Sequence, residues 1–187
     1  MNDVNLKILK NDIGENRYIH SLGVMSECKK LANYYDAEEE KAMIAGLYHD
    51  CGKFVQRKIA YEFINENKII IKDEFLKNYQ LLHPALGYYV GKIKYKIQDE
   101  EILEAIYYHT TLRKNPSLLD KIVYIADAIE PNRNYEGVDG LRKLAYTDLD
   151  KSVLLSLDNT IIDIIRKKKY LGIDSIISRN YLLEIIS

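Results

Sequence analysis

The chain has 187 residues, 47% of them hydrophobic, which suits a single folded domain with a sizeable core and excludes a disordered chain. Its 27 basic and 28 acidic residues leave a formal charge of -1, so no general attraction to nucleic acid or an anionic membrane is expected, and any phosphate binding must be local. Cys28 and Cys51 are too few for a disulfide framework or a four-cysteine zinc site; with no signal-type or membrane-spanning run in the sequence, the expected location is the cytoplasm.

Nearly every segment carries helical rather than alternating periodicity, and an all-α domain is predicted over residues 1–187. A short helix ends near Gly14, and a second runs from about Asn16 to Tyr35 with Ile19, Leu22, Val24, Met25, Cys28, Leu31 and Ala32 on its buried side. Asp36 is placed as the cap of a third helix, which carries Glu38, Glu39 and Glu40 in its first turn and ends at His49-Asp50. A shorter helix covers Arg57 to Asn67, and the segment to Asp73 reads as a loop or a brief extended stretch because Ile69, Ile70 and Ile71 are consecutive. His83 precedes Pro84, a residue favoured in a first helical turn, so the next helix is expected to begin there and run through Tyr95. Asp99 caps a helix ending at His109-Thr110-Thr111, and Ser117 opens Leu118 to Ile129, whose core face is Ile122, Ile125, Ala126 and Ile129. Asp127 sits within that apolar run and needs a partner. Helices near Leu141 to Ala145 and from Leu149 to about Lys168 follow, the latter with a core stripe of Val153, Leu154, Leu157, Ile161, Ile164 and Ile165. Asp174 to Ile186 is the last helix.

The four histidines, His20, His49, His83 and His109, all fall within helices or at predicted helix ends. Each taken singly reads as a satisfied core histidine. With Asp50 and Asp127 they make four imidazoles and two carboxylates, a mixed nitrogen and oxygen set that suits Zn, Mn, Fe or Co better than Mg or Ca. Six side chains exceed the needs of one tetrahedral ion, so the count favours two ions sharing a carboxylate, with Asp50 as the natural bridge.

The order His20, His49-Asp50, His83, His109, Asp127 resembles the HD-domain metal-dependent phosphohydrolases, whose helical core carries H…HD…H…H…D. The segments 17–24, 47–53 and 125–133, the last holding Glu130-Pro131-Asn132-Arg133, are similar to the YqeK-like branch of symmetrical bis(5'-nucleosyl)-tetraphosphatases. The resemblance spans about residues 17–137, leaving 138–187 as C-terminal helices. It implies that His20, His49, Asp50 and Asp127 hold one metal and His83, His109 and Asp50 a second, with iron expected and Mn, Co or Zn as alternatives. It also implies a nucleotide substrate, diadenosine tetraphosphate, cleaved by metal-activated water into two ADP. Leu112 stands where this branch commonly has glycine, a departure that leaves all six candidate ligands in place.

Anhydride hydrolysis needs cations around the phosphates. Lys53, three residues after Asp50, is expected to act with Asp50 in catalysis, and Arg133 and Arg17 are expected to bind substrate phosphates. Thr110 is a further candidate substrate contact, and Tyr107 or Tyr108 could stack on a base. No Gly-rich phosphate loop or nucleophilic triad is present, which favours direct attack by water. The competing readings are another HD nucleotidase or phosphodiesterase, a nucleotide-binding regulator without turnover, and a dinuclear iron oxygenase. Oligomeric state is left open, a homodimer included.

Overall fold

The structure, a computed structural model, describes residues 3–186. Among these residues it contains helices and no strand: α1 (Asp3–Ile13), α2 (Glu15–Tyr34), α3 (Glu39–Tyr48), α4 (Arg57–Glu66), α5 (Asp73–Lys77), α6 (Tyr79–Ile93), α7 (Glu100–Tyr108), α8 (Leu118–Ile129), α9 (Val138–Ala145), α10 (Leu149–Arg166) and α11 (Ile173–Ile186). The helix α2 packs against α3 and α8, α3 also meets α7 and α8, α6 lies on α7, and α10 closes the far side against α8, α9 and α11. No helix among the described residues is long and apolar enough to cross a membrane.

Where a side chain caps a helix, the expected boundary holds. Asp99 accepts the backbone N–H groups of Glu101 and Ile102, and Ser117 forms a reciprocal capping box with Asp120. Asp36 is different. It adopts φ +54° just past the end of α2, and Ala37 N donates to Ala32 O at 2.8 Å, a Schellman-type ending, so Asp36 terminates α2 and does not cap α3.

The helix α6 begins four residues before His83. Leu81 and Leu82 both donate to the carbonyl of Asn78, so the first turn is nucleated there and Pro84 sits inside the helix, forfeiting a hydrogen bond to the fourth residue before it. The Ile69–Ile71 run forms no strand; Ile70 projects into solvent while Ile69 and Ile71 rest on the core. The short α5 had no counterpart in the sequence reading.

Val24, Cys28, Leu31 and Ala32 are fully buried on α2, whereas Ile19 is 47% exposed, because it lies five residues before Val24 and therefore about 140° round the helix. Burial along α10 likewise falls away after Leu157, and Ile165, expected on its core stripe, is exposed.

Leu112 holds φ +56°, in the left-handed region that glycine favours, and its side chain is fully buried. The left-handed backbone costs a non-glycine residue roughly 1–2 kcal/mol, while burying a leucine returns about 1.5–3 kcal/mol, so packing outweighs strain and a leucine is sustained at the turn after α7.

Candidate metal centre

Two helix ends supply two of the four histidines in the same way. His49 is the C-cap of α3 and His109 the C-cap of α7, and each points Nδ1 at the carbonyl three residues back, Gly46 O and Ile106 O, at 2.7 Å. The last carbonyls of a helix lack intrahelical partners, so each imidazole satisfies one of them and is oriented by doing so. Only a protonated Nδ1 can donate to a carbonyl, which leaves the Nε2 lone pair of the neutral ring facing inward. His83, in the second turn of α6, uses Tyr79 O similarly at 3.3 Å.

These Nε2 atoms converge on Asp50, which lies in the turn directly after α3. Asp50 Oδ1 is 3.4 Å from both His83 Nε2 and His109 Nε2, and those two nitrogens are 3.1 Å apart. Asp50 Oδ2 lies 3.6 Å from His49 Nε2, and His20 Nε2 lies 3.0 Å from Asp127 Oδ1. Ligand atoms held ~2.1 Å from a common tetrahedral ion are themselves about 3.4 Å apart, so the spacing of Asp50, His83 and His109 suits coordination. Two neutral imidazoles presenting lone pairs to one another cannot share a hydrogen bond, and His49 Nε2 and Asp50 Oδ1 are buried without one. Lys53 Nζ approaches Oδ1 to 2.9 Å as an ion pair only. The orphaned atoms are therefore the ones a cation would satisfy. Three triads have the proximity to hold an ion: His20, His49 and Asp50; Asp50, His83 and His109; and His49, His109 and Asp127. The last spans the other two, so the six side chains form one continuous cluster with the carboxylate of Asp50 turned to both sides.

Burial works against charge on Asp50, yet the surrounding imidazoles and Lys53 outweigh it and hold the carboxyl well below its ordinary range. Burial lowers His49 to about 4 and takes His83 well below its usual value, leaving both rings neutral and available as ligands near pH 7. The carboxyl of Asp127, its side chain a quarter exposed, is held low by His20, His49 and Arg133 against the cost of its partial burial. The acid therefore has its partners.

A pH dependence follows for the metal-free protein. His49 takes up a proton near 6.5 when unfolded and near 4 when folded, so the unfolded state binds more protons between those values and stability must fall on acidification. His49 alone contributes about 2 kcal/mol of loss by pH 5, His83 acts in the same direction, and His20, raised by its carboxylate neighbours against burial, opposes them. Chelated protein should unfold at lower urea at pH 5 than at pH 7.5; an unchanged or higher midpoint at pH 5 would contradict this arrangement.

The cationic candidates divide between the two ends of the cluster. Arg17 Nη1 donates to Asp50 Oδ2 at 3.0 Å and Lys53 Nζ to the same oxygen at 3.1 Å; both line an open cleft of about 360 Å³ with Asn16, Phe54 and Val55. Arg133 stands beside His20's end, donating from Nη2 to Asp127 Oδ1 at 2.5 Å and from Nε to the Asp127 carbonyl at 2.8 Å. Thr110 is not brought to the cluster in the same way. Its Oγ1 is buried without a hydrogen bond, and it lines a small cavity with Pro84, Tyr107 and Gly172 that none of the six candidate ligands lines. Tyr107 packs edge-on against Tyr108, whose ring lies under Arg113.

The structure gives four further residues supporting roles that the sequence did not reveal. Gly52 allows the turn after Asp50 to sit directly on α6: a Cβ there would lie 2.1 Å from His83 O and 2.7 Å from Gly87 N. Cys51, beside it, donates Sγ–H to Gly87 O at 3.3 Å, and burial pushes its thiol up, so it is a packing group rather than a reactive one. Arg142 braces the loop after α8 by donating to the carbonyls of Ile129, Glu130 and Arg133. Glu130 reaches back to His20 from that loop, Oε1 lying 3.1 Å from Nδ1.

A six-residue His/Asp cluster on facing helices, with His-Asp adjacent at a helix end, is the defining site of a known class. Residues 17–132 match the HD domain model, and the chain belongs to the HD domain family. Its relatives narrow the class. It is 38% identical to a protein of Bacillus subtilis over 96% of both chains and 39% identical to one of Halalkalibacterium halodurans over 95% of both, each named symmetrical bis(5'-nucleosyl)-tetraphosphatase. A solved structure from Clostridium acetobutylicum, described as a predicted HD superfamily hydrolase involved in NAD metabolism, superposes with a TM-score of 0.91 at 46% identity, covering 98% of this chain and 97% of that one.

Proposed function

We propose that this protein is a symmetrical bis(5'-nucleosyl)-tetraphosphatase that hydrolyses diadenosine tetraphosphate to two ADP. The observation that carries the reading is the near full-length likeness to relatives of that name in a chain whose six candidate ligands converge. In this proposal His20, His49, Asp127 and Asp50 hold one ion and His83, His109 and Asp50 the other, with iron as the expected metal and Mn, Co or Zn as substitutes. Ions so placed supply Lewis-acid polarisation of phosphoryl oxygens and a nucleophilic water near neutral pH.

The chain's own residues orient the reaction. Asp50 turns its two oxygens to opposite sides of the cluster, and metal held there would compete with Lys53 and Arg17 for the carboxylate, leaving both cations available to the phosphate chain. Arg133 stands at the other end, its Nε and Nη2 donating to Asp127, so cations flank the centre on both sides. Water oxygen bonds to one central phosphorus while that phosphorus loses its bond to the central bridging oxygen; the leaving ADP keeps that oxygen and the released proton passes to solvent. All six ligand positions are filled, which argues against a regulator without turnover. The single-domain organisation and cytoplasmic location belong to the same proposal.

Incubating metal-loaded protein with diadenosine tetraphosphate should yield ADP alone. ATP plus AMP, or no turnover, would overturn the assignment, and preferential hydrolysis of NAD, which joins two nucleosides through a diphosphate, would move it toward the description carried by the Clostridium structure. Arg133→Ala should raise KM or lower kcat by about 10- to 100-fold, the worth of a charge-assisted contact, with metal content unchanged. Metal loss in that variant would reassign Arg133 to holding Asp127.

A further inference from the structure

We propose that Glu130 is the positioning residue that fixes the tautomer and orientation of His20 for the metal held at that end of the cluster. The inference rests on the metal-centre reading above. His49, His83 and His109 each have a backbone carbonyl as the Nδ1 acceptor. His20 lies within the body of α2, and a side chain from 110 residues further on takes that role.

The pocket around Glu130 is built for a carboxylate. Glu130 is 2% exposed, and a buried carboxylate is costly unless its oxygens are hydrogen-bonded. Asn132 donates to Oε2 twice, from its backbone N at 2.7 Å and from Nδ2 at 3.0 Å, leaving Oε1 for His20 Nδ1. The space for Oε2 exists because Gly23 has no side chain: a Cβ there would stand 2.4 Å from Oε2. An ionised carboxylate only accepts, so Glu130 favours the proton on Nδ1 while Asp127 Oδ1, 3.0 Å from Nε2, competes for it in the metal-free ring; Glu130 is the group that leaves the Nε2 lone pair free for a metal. A charged acceptor also strengthens the ring as a donor to metal, and outer partners of this kind are worth about 10- to 100-fold in metal affinity.

The test is calorimetric titration of chelated protein with Mn²⁺ alone, together with nitrogen-15 NMR of the histidine rings at a pH where His20 is neutral. In Glu130→Ala, one of the two binding events should weaken about 10- to 100-fold while the other stays within about twofold, and the neutral His20 ring should lose its Nδ1-protonated form to the Nε2-protonated tautomer that donates to Asp127. Gly23→Ala should reproduce both effects by displacing Oε2, Glu130→Gln should recover part of the affinity, and Asn132→Ala, which spares the contact with His20, should change both binding events little. Equal weakening of both events, or a lower melting temperature with affinity and tautomer unchanged, would overturn the proposal and leave Glu130 a structural residue. If the wild-type protein takes up a single ion, the two-ion reading fails, and the His20 tautomer decides the role of Glu130: shifted to Nε2-protonated in Glu130→Ala it stands, unchanged it falls.

Discussion

Asp50→Ala should lose both metal ions and at least about 10³-fold in activity, the several kcal/mol of transition-state stabilisation that bound metal supplies. The expectation follows from how its two oxygens are used. Oδ1 faces His83 and His109 at 3.4 Å each while Oδ2 faces His49, so removing one carboxylate takes a ligand from each half of the cluster. It also leaves Arg17 and Lys53 without the anion they share. Those cations then sit beside imidazoles that must bind a divalent ion, and their repulsion adds to the loss. Asp50→Asn keeps the shape but neither the charge nor two equivalent acceptors, and should fail almost as completely. Elemental analysis after dialysis reads the effect without reference to substrate. Two ions retained at wild-type affinity in either variant would refute the bridging role.

Gly52→Ala should be nearly as damaging, although Gly52 touches neither metal nor substrate in this account. Its Cβ would fall 2.1 Å from His83 O and 2.7 Å from Gly87 N, both backbone atoms of α6 that no rotamer change can clear. Real contacts of this type begin near 3.0 Å, so α6 and the His-Asp turn must separate by about 1 Å, in a region where overpacking alone costs roughly 1–3 kcal/mol. His83 rides on α6 and Asp50 on the turn, so the separation that relieves the clash also opens the spacing on which shared coordination depends. Urea unfolding of the chelated variant should show the stability loss, and metal titration should show weakening centred on His83 and His109. Wild-type values for both would mean that the turn does not need this close approach. Cys51→Ala, in the same turn, should be mild because the hydrogen bond that Sγ gives to Gly87 O is weak.

The elements legible in the sequence were those whose ends are written in local chemistry. Asp99 and Ser117 announce α7 and α8 because their side chains bind the backbone they cap. His83-Pro84 misled for a related reason: proline favours a first turn, but Asn78 had already nucleated α6, and tertiary packing carries the helix through the missing hydrogen bond. Asp36 looked like a cap and is a left-handed turn, two roles for which the same residue type is suited. The six candidate ligands could be picked out because histidine is scarce here and the His-Asp pair adjacent. Glu130, Gly23 and Gly52 could not be read that way. Their meaning lies in contacts between segments far apart in the chain, Glu130 with His20, Gly23 with Glu130, Gly52 with His83, and no period or spacing records such a meeting. The aromatic run at Tyr107 and Tyr108 was legible as aromatic but not as to what it covers, which is other tyrosine rings and Arg113.

The central claim, a two-ion centre bridged by Asp50, is tested most directly by anomalous diffraction from crystals of the metal-loaded protein. Two peaks about 3.5–4 Å apart are predicted on either side of the Asp50 carboxylate, one within bonding distance of His20, His49 and Asp127 and the other of His83 and His109. A single peak, or two peaks of which neither touches Asp50, would contradict it.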